Sequence, residues 1–278
     1  MNVEDCIVAV ERRSLGGCLD LAFVFTREFA GPILRLTLCF AIPSCATVWL
    51  LTSSATDMLI PSILILALSV TLYGGALVAA VGPQVFGVPI STRRALRSVW
   101  HRAAGFLFLS AVYRFLQLMT AFLLVLPSVI VTSRLGHLPE VLLLEQTSVS
   151  GTLPRLSWLT AGGGHTRNFV RLLALLGFWA LFSTGLLILA DLLSTALFNV
   201  PVFLARLPQT DVDFEQKLSA VTLDSPLFLT MLHAAVWVPY PIIRIAWFFC
   251  YLDQRIRNEC WDLELQFRTE AVRLEQLT

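Results

Sequence analysis

Apolar residues run in long blocks along this chain, and the polar positions are gathered between them. A helix needs about 20 apolar residues to cross the hydrocarbon core of a bilayer. Residues 31–52 and 60–84 meet that length, the first with Pro43 as a kink and the second with the small pair Gly74-Gly75. The block 104–145 is too long for one crossing. It divides at LVLPSV, where Pro127 ends or kinks the helix, giving spans 104–126 and 127–145. Arg134, His137, Pro139 and Glu140 interrupt the second of these. Spans 169–193 and 226–251 complete the set, and the apolar tail to Leu207 either extends the fifth helix or lies at the surface. The pattern predicts an all-α polytopic membrane protein. Residues 1–251 form a single transmembrane domain of about six helices with interfacial amphipathic helices, and 252–278 form a cytoplasmic amphipathic helix.

The last block supports that ending. Apolar residues stop at Tyr251, and charges then crowd the stretch YLDQRIRNECWDLE. Asp253 and Arg257 are an i, i+4 pair, as are Glu264 and Arg268. Ile256, Cys260, Leu263 and Phe267 repeat at helical spacing as one apolar stripe. The spacing predicts a helix that leaves lipid near Trp261 and packs under the bundle against the basic interfacial segments.

Composition agrees with a lipid solvent. Of 278 residues, 56% are hydrophobic and 14% charged, against roughly 45–50% and about 25% in soluble domains. A net charge of +1 offers no field for nucleic acid. The six cysteines contain no CxxC, so apolar packing is expected of them rather than zinc or a disulfide framework. Glu4, Asp5, Glu11, Arg12 and Arg13 precede the first apolar run, and no cleaved signal is expected.

Charge sets the orientation. With six spans and both termini in the cytoplasm, fourteen of the twenty Lys and Arg fall on inner segments and only Arg206 and Lys217 on outer ones. Three basic or amphipathic segments, starting near Cys18, Ser91 and Thr152, each precede a span. In the second, Ala95 and Val99 share a helical face while Arg93, Arg94 and Arg97 spread around the other side, toward lipid phosphates. Two readings are open: a threefold repeat of interfacial helix plus helix pair, or short cytoplasmic loops that collect arginine.

Charges within spans are costly, about 2.5–3.5 kcal/mol each at the bilayer centre. Arg35 and Arg244 lie near cytoplasmic ends and can snorkel. Arg114 and Asp191 need partners or water. Arg114, Arg134, Glu140 and Glu145 lie on consecutive spans and form a candidate intramembrane polar clamp, or else line a ligand cavity. No HExxH, HxH or GxSxG occurs, so no catalytic, cofactor-binding or metal residues are assigned. AGGGHT at 161–166 lacks a GKS/T ending and reads as a glycine turn before the fifth span.

Three stretches carry a family resemblance: LVLPSVIVTSRLGHLPEVLLLE, LPRLSWLTAGGGHTRNFVRLL and YLDQRIRNECWDLEL. They resemble bacterial membrane proteins related to the membrane region of glycerophosphoryl diester phosphodiesterases and to the YciC-like proteins. Tyr251, Asp253, Arg255, Arg257, Glu259, Asp262 and Leu263 match that group's ending. Cys260 stands where the family usually has glycine, and Asn258 where it often has lysine. The resemblance implies a six-helix bundle and partners such as AAA-type ATPase and von Willebrand-type domain systems. Fifteen residues follow Leu263, so the phosphodiesterase activity is not expected to transfer. The expected function is a non-enzymatic scaffold or assembly partner in the bacterial inner membrane. Its expected contacts with partners or anionic lipid are Arg93, Arg94, Arg97, Asp253, Arg255, Arg257 and Glu259. A small-molecule or lipid transporter is the first alternative, resting on Arg114, Asp191 and the proline-broken spans; a lipid-acting membrane enzyme is the second.

Overall fold

The computed structural model describes residues 12–54, 58–85, 87–200, 202 and 225–259. Each of the three basic or amphipathic segments forms a short helix ahead of a long one. Helix α1 (Leu15–Glu28) leads into α2 (Ala30–Ser54), and α3 (Leu59–Val85) follows. Helix α4 (Thr92–His101) leads into α5 (Ala103–Leu123), and α8 (Val149–Leu159) into α9 (Gly164–Phe198). The three short helices start alike. Ser14, Ser91 and Ser148 are extended N-caps whose hydroxyls accept from the backbone N–H of Gly17, Arg94 and Gly151. Each cap satisfies one of the donors a helix start leaves orphaned. On α4, Ala95 is buried while Arg93, Arg94 and Arg97 are exposed, as the periodicity predicts.

Among the described residues, five helical stretches are long and apolar enough to cross a membrane: α2, α3, α5, α9 and Pro226–Glu259. The last comprises α10 (Pro226–Trp237) and α11 (Tyr240–Glu259), parted at Val238-Pro239, where proline cannot donate to the helix ladder. Many large apolar side chains on these helices face outward, among them Leu50 at 66%, Phe122 at 89% and Leu181 at 75% exposed. Water would not tolerate so continuous an apolar exterior, and a bilayer requires it. The chain is an all-α, multi-pass membrane protein.

The fourth predicted span differs. Residues 127–145 are not one helix but two short ones, α6 (Val125–Leu135) and α7 (Leu138–Leu143). The break before them falls at Leu124, whose backbone is extended, not at Pro127. Pro127 sits in the first turn of α6, where its missing N–H costs nothing. Helix α6 folds back along α5, with the Gln117 amide donating to Thr132 Oγ1 at 3.1 Å. Arg102, just before α5, then donates to the carbonyls of Leu142 at 3.4 Å and Thr147 at 3.1 Å. The chain between 125 and 143 therefore retraces α5 to its starting level. The gap between α6 and α7 is fixed by Trp247, whose indole donates to the Gly136 carbonyl at 3.1 Å.

The open reading at the end of the fifth span is resolved as an extension of the helix. Helix α9 spans 35 residues, well past 193, and ends before Asn199, which takes a positive φ of 53°. Helix α11 passes Tyr251 without interruption, as expected of a last span that continues as a helix into the charged stretch. Cys260, Leu263 and Phe267 of the expected C-terminal stripe lie outside the described residues, as do Trp261, Asp262, Glu264 and Arg268.

Two compact units divide the chain. One holds 34–73 and 176–241, with an apolar core of Val48, Leu187, Val202, Phe228, Leu229 and Ala235. Within it Tyr73 shares a 2.7 Å hydrogen bond with Thr37 and meets Phe40, Trp237 and Tyr240 edge-on or tilted. The other unit holds 1–33, 74–175 and 242–278 and carries most of the described charge. Its packing is close where glycine admits it: a Cβ on Gly75 would lie 2.5 Å from Cζ of the fully buried Phe106. Gly75→Ala is therefore expected to destabilise the protein by about 1–3 kcal/mol through overpacking. Thermal unfolding in detergent reads that loss, and Phe106→Leu added to it should recover part of it.

Candidate functional site

The polar residues of the second unit converge on α11, along three rows set by helical spacing. The first row is Asp253 and Arg257. Asp253 is 1% exposed, and its carboxylate accepts from the backbone N–H of Arg13 at 2.7 Å. It also accepts from the Arg171 guanidinium at 2.7 Å and from Arg257 at 2.8 Å. Arg171 and Arg257 both donate in turn to the Arg13 carbonyl, at 3.0 and 3.3 Å. One residue, Arg13, immediately before the cap of α1, is thus held through both its N–H and its carbonyl. The row ties α1, the first turns of α9 and α11 together.

The second row is Tyr251, Arg255 and Glu259. Glu145, just after α7, accepts from the Tyr251 hydroxyl at 2.6 Å and from Arg155 of α8 at 2.6 and 3.2 Å. Arg155 also pairs with Glu259, and Glu259 pairs with Arg255 at 2.8 Å. Two carboxylates and two guanidiniums form a neutral ring that fixes α8 to α11. Burial works against the Arg155 cation, but Glu145 and Glu259 beside it outweigh that cost and hold its pKa above the ordinary value. The Arg155 guanidinium also stacks over Trp158, 4.9 Å from the ring centre.

The third row lies deeper. Arg244 donates to Glu140 at 2.6 Å, both side chains being nearly inaccessible. His137 is buried beside them and stacks on Trp247 with ring centres 4.3 Å apart. Between the rows, Asn258 donates to the Leu159 carbonyl at 2.7 Å and Gln254 to that of Gly164 at 3.5 Å. These amides brace the glycine turn, where Gly162 and Gly163 take φ of 59° and 85°, values only glycine adopts freely.

This geometry redistributes the residues expected to act together. The clamp of Arg114, Arg134, Glu140 and Glu145 does not form as a unit. Glu140 takes Arg244, and Glu145 takes Arg155 and Tyr251, because both carboxylates face α11 and α8. Arg114 donates to Gln117 on its own helix and lies against Tyr113. Arg134 is exposed at the end of α6. Arg244 does not snorkel: it is 7% exposed and ion-paired. Asp253, Arg255, Arg257 and Glu259 are not an open docking face, since all four are committed to internal pairs; the exposed set is Arg93, Arg94 and Arg97. Asp191 caps its own chain by accepting from the Val202 N–H at 2.9 Å. Arg155, Arg171 and Arg244 are the residues that spacing did not select, although the first two already counted toward the inner-side charge. Among the described residues no group of three or more His, Cys, Asp or Glu could hold a metal ion.

Removing one partner of a buried ion pair leaves the other charge stranded, which costs about 3–5 kcal/mol. Asp253→Ala is expected to cost that much in detergent melts, because it strands Arg171. Arg257→Ala, at the more exposed edge of the row, should cost under about 1 kcal/mol. Comparison with family models, with curated proteins and with solved structures returns no match to this chain.

Proposed function

We propose that this chain is a non-enzymatic scaffold or assembly partner of the bacterial cytoplasmic membrane, of the kind its YciC-like stretches suggest. The observation that carries this reading is that the carboxylates around α11 are matched to guanidiniums or backbone donors that hold helices together. A general acid or base must be free to exchange its proton near neutral pH, and carboxylates held by arginines are strongly biased to stay ionised. The transport alternative loses support for a similar reason: Arg114 and Asp191 both have local partners.

The charge asymmetry along the chain supports a reading with both termini in the cytoplasm. Arg13, Arg102, Arg155, Arg171, Arg255 and Arg257 come from four separate inner segments of the charge assignment, and all belong to one unit. Helices α6 and α7 supply the sixth crossing. With the two residues between them they cover the 19 positions 125–143, roughly 28 Å at 1.5 Å per residue, close to the hydrocarbon thickness of about 30 Å.

The exposed arginines of α4 are the surface that meets anionic lipid and partner proteins, an AAA-type ATPase system being the partner the resemblance suggests. Capture of the tagged full chain from its own membranes in mild detergent tests this against Arg93→Gln, Arg94→Gln, Arg97→Gln. The wild type should bring down a reproducible partner set that the triple variant loses, with its melting temperature unchanged. Equal recovery from both proteins, or no partner with either, would contradict the scaffold reading.

A further inference from the structure

A cavity of about 310 Å³ lies between the end of α6, the outer side of α8 and the start of α9. Its polar lining is Arg134, Ser157, Thr160 and His165. Its apolar lining is Leu135, Leu153 and Leu156. Neither lining takes part in the ion-pair rows on α11.

The polar groups have defined roles. Arg134 is exposed and has no carboxylate partner among the described residues, so its guanidinium is available to an anion. Ser133 Oγ donates to the Ile130 carbonyl at 2.8 Å and therefore accepts from His165 Nδ1, 3.1 Å away. That bond puts a proton on Nδ1 and leaves Nε2 as the second nitrogen; burial and the Arg134 charge hold the His165 pKa below its ordinary value, and an anion bound between the two would offset the Arg134 charge. Ser157 and Thr160 spend their hydroxyl hydrogens on the carbonyls of Pro154 and Leu156, at 2.8 and 3.0 Å. They offer lone pairs only and suit a ligand that itself carries hydroxyls. The leucines give that ligand an apolar shoulder. Helix α8 also turns Val149, Leu153 and Trp158 outward, the habit of a helix at the lipid surface.

We propose that this cavity is a binding site for the phosphodiester headgroup of an anionic, hydroxyl-bearing phospholipid. The phosphate would sit on Arg134 and His165, the headgroup hydroxyls on Ser157 and Thr160, and the start of the acyl region on the three leucines. A free phosphate shares the first contact and can donate through P–OH to the second, but it has no use for the leucines. The site is separate from the α4 arginines and does not depend on the scaffold reading.

Native mass spectrometry of the purified full chain in detergent tests it, titrating phosphatidylglycerol or phosphatidylcholine. A parallel thermal-shift series compares inorganic phosphate with phosphatidylglycerol. The wild type should retain one phosphatidylglycerol in preference to phosphatidylcholine. Arg134→Gln should weaken that binding about ten-fold at unchanged melting temperature. His165→Gln should weaken it too, while Arg93→Gln, Arg94→Gln, Arg97→Gln keeps it. Wild-type binding by either the Arg134 or the His165 variant would overturn the site. Equal retention of phosphatidylcholine would overturn its preference for an anion, and equal stabilisation by inorganic phosphate would overturn its assignment to lipid.

Discussion

The Asp253 carboxylate is the interaction on which the charged unit depends. It is buried, and it accepts from the Arg13 N–H and the Arg171 guanidinium, which arrive from distant parts of the chain, and from Arg257 one turn along α11. A carboxylate so placed is far more costly alone than accompanied. Its burial is tolerable only when the entry to α1, the first turns of α9 and the end of α11 are all in position. The penalty for a misplaced helix thus becomes the selectivity of the assembly. The Glu145, Arg155, Glu259 and Arg255 ring repeats the arrangement one face further round α11, and Glu140 with Arg244 repeats it deeper in the unit. Because lipid supplies no hydrophobic drive between helices, polar ties of this kind do work that apolar burial does in a soluble protein.

The three rows also show how one helix can organise several others without a large interface. Positions 251, 255 and 259 repeat every four residues, as do 253 and 257, so each row addresses its own set of neighbours: α1 and α9 for one, α8 and the end of α7 for the other. Asn258 and Gln254 fall between the rows and meet the glycine turn that joins α8 to α9. Arginine suits these positions because its planar fork can hold a carboxylate and a backbone carbonyl at once, as Arg171 does.

Much of this fold was legible in the sequence, because lipid imposes long apolar runs and a charge asymmetry that are visible one residue at a time. Five of the six span positions, the short helix before α2, α5 and α9, the outward arginines of α4 and the glycine turn at 161–164 were readable that way. The Asp253–Arg257 pair was readable too, since i, i+4 spacing is local. Partners across the fold were not. Glu140 and Arg244 stand 104 positions apart, as do Arg155 and Glu259, and neither period nor composition can match a carboxylate to one arginine among many. The division of 127–145 was misplaced for a related reason. Proline marks a first turn as readily as a break, and what fixes the real gap at Gly136 is Trp247, on another helix.

Amide hydrogen exchange tests the hub most directly, by comparing the wild type with Asp253→Asn in the same detergent. If Asp253 holds the assembly, exchange should rise in α1 and the first turns of α9 while α5 and α6 keep their protection. Unchanged protection of α1 and α9 in that variant would contradict the account.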